Sequence, residues 1–468
     1  MSRFPKIFVS LPLVALACAL ATGTVCSKPN VIFILADDLG YGDLGCYGQE
    51  RIQTPNIDAL AAQGMRFTQF YAGSTVCAPS RCVLMTGVHT GRAEIRGNKE
   101  IQPMGQWPLT DEAYTVAELF QDAGYHTGLI GKWGLGGPDS SGIPNRQGFD
   151  EFFGYLGQRH AHNYYPEFLF RNQERVALPG NRVDNDRKDG AGYAVERTTY
   201  THDLFAEEAL DFVRRNHEAP FFLYLPVTIP HANNEGKELG MEVPDFGPYA
   251  DRDWPVAQKG HAAMITRLDH DIGRLVDLLV ELAIAENTLV FFTSDNGPHR
   301  EGGADPQYFD SNGPLRGIKR DLYEGGIRVP MIAYWPGHIP SGTVTDHVGY
   351  FGDLMATAAE LIDAPTPEGL DSISFLPSLL NPKAPEQRSH DYLYWEFHGS
   401  KTLRAVRQDR WKAILFPDNR LELYDLATDG GETEDLAASQ PEHAAKMRQT
   451  ILASREDDPL WPMKLEQP

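Results

Sequence analysis

Asn30-Val31-Ile32-Phe33-Ile34-Leu35-Ala36 is a continuous apolar run that stops at two aspartates, Asp37-Asp38. A strand with one wetted face alternates polar and apolar residues, whereas a strand buried on both faces does not. The run therefore predicts an interior strand of a mostly parallel sheet. The same form returns at Thr288 to Ser294, which ends in Asp295-Asn296. Strand character also marks Leu129-Ile130 and Phe221 to Val227.

Helical signals fall between these runs. Thr54 is read as the cap of a helix with Pro55 at its first position and Gly64 at its end, and Thr115-Val116-Ala117-Glu118 is a capping box opening the next helix. Helical spacing recurs from His202 to Asn216, and Met264, Ile265, Leu268, Ile272, Leu275 and Leu279 mark a long amphipathic helix. The alternation predicts an α/β fold, a mostly parallel central sheet flanked by helices, with ligands gathered beyond the carboxyl ends of the strands. Two prolines and mixed charge between Asn381 and Ser389 read as a linker. Beyond it, Tyr392 to Phe397, Leu403 to Val406, Trp411 to Leu415 and Leu421 to Tyr424 read as short antiparallel strands, followed by a helix from Glu442 to Ser454. The expected division is a main unit over residues 28–380 and a smaller C-terminal α+β subdomain over 390–468.

The 468 residues suffice for two such units with a sizeable core. At the start, Arg3 and Lys6 precede an apolar stretch from Ile7 that closes on Ala19-Leu20-Ala21, as in a secretory signal peptide within residues 1–26. The stretch is short for a spanning helix, and neither Cys18 nor Cys26 has a good lipidation context. The expectation is a periplasmic or secreted protein with no stable membrane insertion after signal cleavage. Five cysteines, one or two of them in the signal region, do not make a disulfide framework, and Cys46 and Cys82 are left to pair or stay free. Lys plus Arg total 42 against 64 Asp plus Glu, a net charge of -22, which argues against nucleic acid as a partner. An anionic substrate must meet a local basic pocket.

Cys77-Ala78-Pro79-Ser80-Arg81 runs into Cys82-Val83-Leu84-Met85-Thr86-Gly87. Pro79 suits a first helical turn, so Cys77 falls at the electropositive helix start, with Arg81 one turn on and on the same face. A thiol, a helix N-terminus and a guanidinium together favour an anionic substrate or nucleophile. The competing reading is a buried cysteine beside a well-capped helix. Asp37-Asp38 and Asp295-Asn296 place four oxygen ligands at one sheet edge. With no Cys-x-x-Cys or His-Glu-x-x-His pattern, such a set favours calcium or magnesium over zinc. Taken singly, each pair also reads as a helix cap or a turn.

The Cys77 string resembles the type I sulfatase signature, C-x-P-S-R followed by x-x-L-x-T-G. Gly131-Lys132-Trp133-Gly134-Leu135-Gly136, Pro230-His231, and Lys319 ahead of Tyr323-Glu324-Gly325-Gly326 are similar to further motifs of that family, in the expected order, from Asn30 to Gly337. Leu421 to Leu436 is similar to its C-terminal segment. The resemblance implies an alkaline phosphatase-like fold and a formylglycine formed from Cys77 by a separate formylglycine-generating enzyme. One hydroxyl of the aldehyde hydrate would attack sulfur, and loss of the second hydroxyl's proton would expel sulfate. It further implies one Ca2+ held by Asp37, Asp38, the Cys77-derived group, Asp295 and Asn296. Cys77, Arg81, Lys132, His231 and Lys319 would be catalytic. Lys132 would bridge formylglycine and sulfate, His231 would protonate the leaving alcohol, and Lys319 would grip a sulfate oxygen.

One position departs from the pattern. The family has histidine where this chain has Gly134, and His162, within Gln158-Arg159-His160-Ala161-His162-Asn163-Tyr164-Tyr165-Pro166, is the expected stand-in. His299 and Arg316 are expected to line the substrate pocket. The function implied is hydrolysis of an organic sulfate ester, a small molecule or oligosaccharide, on a sulfated carbohydrate. Its rivals are a phosphodiesterase or phosphonate monoester hydrolase of the same superfamily and a non-catalytic sulfated-glycan binding protein.

Overall fold

The two acid-ended runs pair with each other. In the computed structural model, which describes Met1 and residues 28–184 and 189–466, strands Asn30–Ala36 and Thr288–Ser294 lie parallel. They stay in register from Asn30 opposite Thr288 to Ala36 opposite Ser294. Residues 2–27 of the expected signal region, with Cys18 and Cys26, lie outside the described residues. Among those described, no helix is long and apolar enough to cross a membrane.

Five parallel strands form the middle of the main sheet, in the order Thr288–Ser294, Asn30–Ala36, Phe221–Pro226, His126–Lys132 and Glu151–Tyr155. Alternate residues of Asn30–Ala36 feed two cores. Val31, Phe33 and Leu35 join one, which includes Cys82 and Val83 from helix Cys77–Thr86 and Leu354 and Met355 from helix Asp353–Leu361. Ile32, Ile34 and Ala36 join the other, covered by helices Pro55–Gln63, Thr201–Asn216 and Val256–Glu281. Both faces are buried, which is why the run lacks polar alternation. Truncating Ile32, Ile34 or Leu35 to alanine costs about 2–5 kcal/mol.

The sheet is wider and more mixed than its centre. Arg328–Tyr334 lies antiparallel to Thr288–Ser294 and to Met65–Tyr71, with Thr343–Tyr350 parallel at that edge. Phe168–Arg171 and Glu174–Ala177 close the other edge as an antiparallel hairpin.

Leu393–His398, Thr402–Gln408, Trp411–Leu415 and Leu421–Asp425 form a separate antiparallel sheet. Here side chains do alternate. Trp395, Ala405 and Ile414 enter the first core, whereas Tyr394, Val406, Ala413 and Leu415 face Met447 and Ile451 of helix Pro441–Ala453. The small sheet is thus joined to the main unit by shared apolar packing.

Candidate active site

Because the two central strands are in register, Asp37-Asp38 and Asp295-Asn296 emerge side by side. The Asp295 N–H bonds the Ala36 carbonyl at 3.0 Å, and the Asp38 N–H bonds Asp295 Oδ1 at 3.2 Å. Asp38 sits at φ 66°, a left-handed conformation that aspartate adopts more readily than most residues. The turn lets both Asp37 and Asp38 serve one site. All four side chains are fully buried.

Helix Cys77–Thr86 presents its first residue to this cluster. Cys77 Sγ lies 3.4 Å from Asp37 Oδ1, and Asn98 Oδ1 accepts the free Ala78 N–H at 3.0 Å. Ser80 Oγ donates to the Asp295 carbonyl at 2.6 Å, tying the helix to the strand end. Arg81, fully buried, donates Nε and Nη2 to Asp295 Oδ2 at 3.1 and 2.9 Å, lies 3.6 Å from Asp37 and bonds the Lys132 carbonyl. Its charge is committed to the carboxylates.

Two lysines complete the cluster. Lys132 Nζ donates to Asp37 Oδ2 at 2.5 Å. Lys319 Nζ donates to Asp38 Oδ2 at 2.7 Å and Glu301 Oε2 at 3.3 Å, and lies 3.1 Å from His231 Nε2. His231 Nδ1 is 2.6 Å from the Ala232 carbonyl, which fixes the proton on Nδ1 and leaves Nε2 as the acceptor toward Lys319. Asp37, Asp38, Cys77 and His231 each offer a ligand atom, all within 4.8 Å of one another.

The electrostatics follow from this packing. Burial by itself would raise the Asp37 carboxyl, but Lys132, His231, Arg81 and Lys319 outweigh it and hold the group far below the usual carboxylate range. Asp295 goes the other way: burial, then the neighbouring Asp37 charge, push it up to about 7. Burial and Asp37 also push the Cys77 thiol well above its ordinary value. A thiol so placed stays protonated and is a poor nucleophile, despite the helix start. Burial, then Lys319, drive His231 well below the ordinary histidine range, so its ring is neutral.

The donor set fits a hard dication. Asp37, Asp38 and Asp295 supply carboxylate oxygens, and Asn296 Oδ1 is buried with no hydrogen-bond partner. An orphaned buried acceptor beside three carboxylates is what an oxygen-bound cation would satisfy.

A family profile described as Sulfatase matches residues 29–364, and one described as N-sulphoglucosamine sulphohydrolase, C-terminal, matches residues 317–457. The chain belongs to the sulfatase family. Over 419 residues this sulfatase is 33% identical to N-acetylgalactosamine-6-sulfatase of Sus scrofa, covering 86% of this chain and 74% of that one. It is 33% identical over 499 residues to arylsulfatase A of Homo sapiens, covering 95% and 91%. The structure of Ps i-CgsB in complex with k-i-k-neocarrahexaose superposes with a TM-score of 0.76 at 29% identity, covering 92% of this chain and 93% of that one.

The sulfatase brings nearly all its sequence-marked residues together. His162 stacks on His231, ring centroids 4.9 Å apart, and its Nδ1 is 3.2 Å from Glu235 Oε2. The space beside Gly134, where His162 was the expected stand-in, is taken by Gln158. His299 stacks on the far side of His231 at 5.9 Å, with its Nε2 3.1 Å from the Pro230 carbonyl. Arg316 is drawn elsewhere: it donates to the Glu432 carbonyl at 2.7 Å and the Tyr424 hydroxyl at 3.2 Å, and lies over the Tyr323 ring. Those partners hold it against the C-terminal sheet instead of the expected pocket lining. Sequence reasoning missed Asn98 and Glu301, which lie on loops, and Glu235, in the short 3-10 helix Asn234–Leu239; none carries a motif of its own. Cys46 and Cys82 are free thiols and do not pair.

Proposed function

We propose that this sulfatase hydrolyses sulfate esters of carbohydrates, through a formylglycine made from Cys77 and a single bound Ca2+. The observation that carries this reading is the buried Cys77 beside Asp37, in a cluster where Arg81, Lys132 and Lys319 balance three aspartates. Burial and Asp37 keep the unmodified thiol protonated and poorly nucleophilic, whereas a hydrated aldehyde would offer two hydroxyls, one to attack sulfur with loss of its proton and one whose deprotonation lets sulfate leave.

Asp37, Asp38, Asp295 and Asn296 would hold the ion, which when bound supplies positive charge to a sulfate oxygen and to the nucleophile. The formylglycine supplies a hydroxyl nucleophile and a route for sulfate to leave by C–O cleavage. Arg81 is a positioning residue that fixes Asp295 and Asp37. Lys132 and Lys319 provide charge for the sulfate oxygens, and their burial raises the strength of that interaction. His231 Nε2 accepts from Lys319 Nζ, so the proton for the departing alcohol oxygen passes from the Lys319 ammonium through Nε2, the ring being fixed by the Ala232 carbonyl and stacked between His162 and His299. His162, His299 and Glu301 border the substrate.

A carbohydrate substrate is supported by relatives named for N-acetylgalactosamine 6-sulfate and by a neighbour bound to a neocarrahexaose. Residues 28–380 carry the chemistry and 390–468 buttress it. Maturation requires a formylglycine-generating enzyme, and the basic and then apolar start of the chain suits export to the periplasm or medium.

The test is mass spectrometry of the Cys77 peptide from protein made in its host, beside calcium-dependent release of sulfate from 4-nitrophenyl sulfate and 6-sulfated N-acetylgalactosamine. Aldehyde at Cys77 with sulfate release is expected. Greater activity on matched phosphate esters would favour the phosphoryl-transfer rival, and aldehyde without any turnover would favour a binding role.

A further inference from the structure

Gly134 lies two residues beyond Lys132, at φ +82°. A Cβ built on it would fall 2.1 Å from Gln158 Nε2 and 3.0 Å from Gln158 Cδ, so a side chain at 134 and the carboxamide of Gln158 exclude each other. Gln158 is only 5% exposed, yet neither Nε2 nor Oε1 has a hydrogen-bond partner. Leaving a buried polar atom unpaired costs about 1–3 kcal/mol, so a carboxamide with both ends unpaired is expensive unless something outside the chain satisfies it.

Its surroundings say what that is. On one side Gln158 abuts Gly134 and the loop that begins at Lys132. On the other, its own segment continues to His162, which stacks on His231. The amide therefore lies between the loop that follows Lys132 and the segment that carries His162 to His231. Its uncharged Nε2 donates without adding to the site's charge, and it does not titrate near neutral pH. Gln106, whose N–H bonds the Gly136 carbonyl of the same loop, is also buried with both amide atoms unpaired. A water shared by the two amides is the structural alternative.

We infer that the Gln158 carboxamide is a substrate-binding group that hydrogen-bonds the sulfate ester, and that glycine at 134 exists to admit it. The inference rests on the sulfatase reading of the site. The group acts on the sulfate end of the substrate, so its loss is felt equally by aryl and sugar sulfates.

Gln158→Met keeps the side-chain volume and removes both polar atoms. The expected result is a fall of at least about tenfold in kcat/KM for both 4-nitrophenyl sulfate and 6-sulfated N-acetylgalactosamine, with a melting temperature unchanged or raised. Gly134→Ala, which displaces the amide, should show a similar loss, and the double variant should be no worse than the poorer single one because both act through one group. Inorganic sulfate, titrated into calcium-loaded Cys77→Ser protein by calorimetry, should bind about fivefold more weakly when Gln158→Met is added. Unchanged kcat/KM and sulfate affinity in Gln158→Met, with raised stability, would overturn the inference in favour of the shared water. A loss confined to the sugar sulfate would overturn it too. Should wild-type protein bind sulfate but turn over no sulfate ester, the proposed function fails, and the calorimetric comparison alone decides the role of Gln158.

Discussion

Asn296 donates its Nδ2–H to Asp38 Oδ1 at 2.6 Å and leaves its own Oδ1 without a partner, although both residues are fully buried. A second bond from Nδ2 to the Gly297 carbonyl at 2.9 Å fixes the amide, so its oxygen is the free end. Asn296→Ala should weaken calcium binding about 10–100-fold, measured by calorimetry on chelator-treated protein. Calcium should also raise the melting temperature of wild type more than that of the variant. Equal affinities in the two proteins would remove Asn296 from the ligand set.

Asp295 meets the cation site and Arg81 at once. Asp295→Asn removes a charge from the first and the main anionic partner of the second. Sulfate release should fall by at least about 100-fold, with the Cys77 aldehyde content checked by mass spectrometry so that poor maturation is not mistaken for poor catalysis. Cys77→Ala should abolish turnover while leaving the fold intact. Normal rates in either variant would sink the mechanism.

Lys412 on the C-terminal sheet is fully buried between Glu324 Oε1 and Glu432 Oε1, 2.9 Å from each. Glu432 also accepts the Glu324 N–H at 2.6 Å, and the adjoining Gly326 carbonyl accepts the Gly297 N–H at 3.1 Å. The loop bearing Asn296 is therefore braced through this cation. Lys412→Met leaves two buried carboxylates without it and should cost about 3–5 kcal/mol in urea unfolding. Calcium affinity should drop with stability; a variant as stable as wild type would refute the brace.

His390 Nε2 lies 2.8 Å from Asp353 Oδ1. Burial would lower the histidine, but Asp353 outweighs it and the net shift is upward. Because the folded value exceeds the unfolded one, the stability from this pair is fully present below about pH 6.5 and is lost as pH rises through the folded value. His390→Gln should therefore lower the melting temperature most near pH 5.5, with the gap closing toward pH 9. A gap that does not change with pH would mean the histidine is neutral throughout.

The central strands and the acidic pairs were legible because a double-faced core forbids polar alternation and strand ends collect ligands. Thr115 caps its helix as read, with the reciprocal Glu118 bond present. Thr54 does not: its hydroxyl accepts the Gly45 N–H and donates to Asp58 instead of bonding the helix N–H groups, a tertiary contact that no local pattern records. Arg316 read as a pocket residue because it neighbours Lys319, yet its partners are Glu432 and Tyr424, more than a hundred residues away. Gln158 carried no signal alone; its meaning came from the glycine facing it.

The register of the two central strands sets the order in which the molecule can acquire its chemistry. Asp38 and Asp295 are 257 residues apart in sequence and bonded in space. Neither half-site can hold an ion with both sets of ligands until strand Thr288–Ser294 has docked against Asn30–Ala36, a closure whose entropy must be met before any reward arrives. A chain arrested before Thr288 would carry two aspartates and a cysteine but no site. Cation affinity in this protein is thus a report on completed folding, and a stalled or misfolded copy should neither sequester the ion nor meet a sulfate ester with half of the machinery.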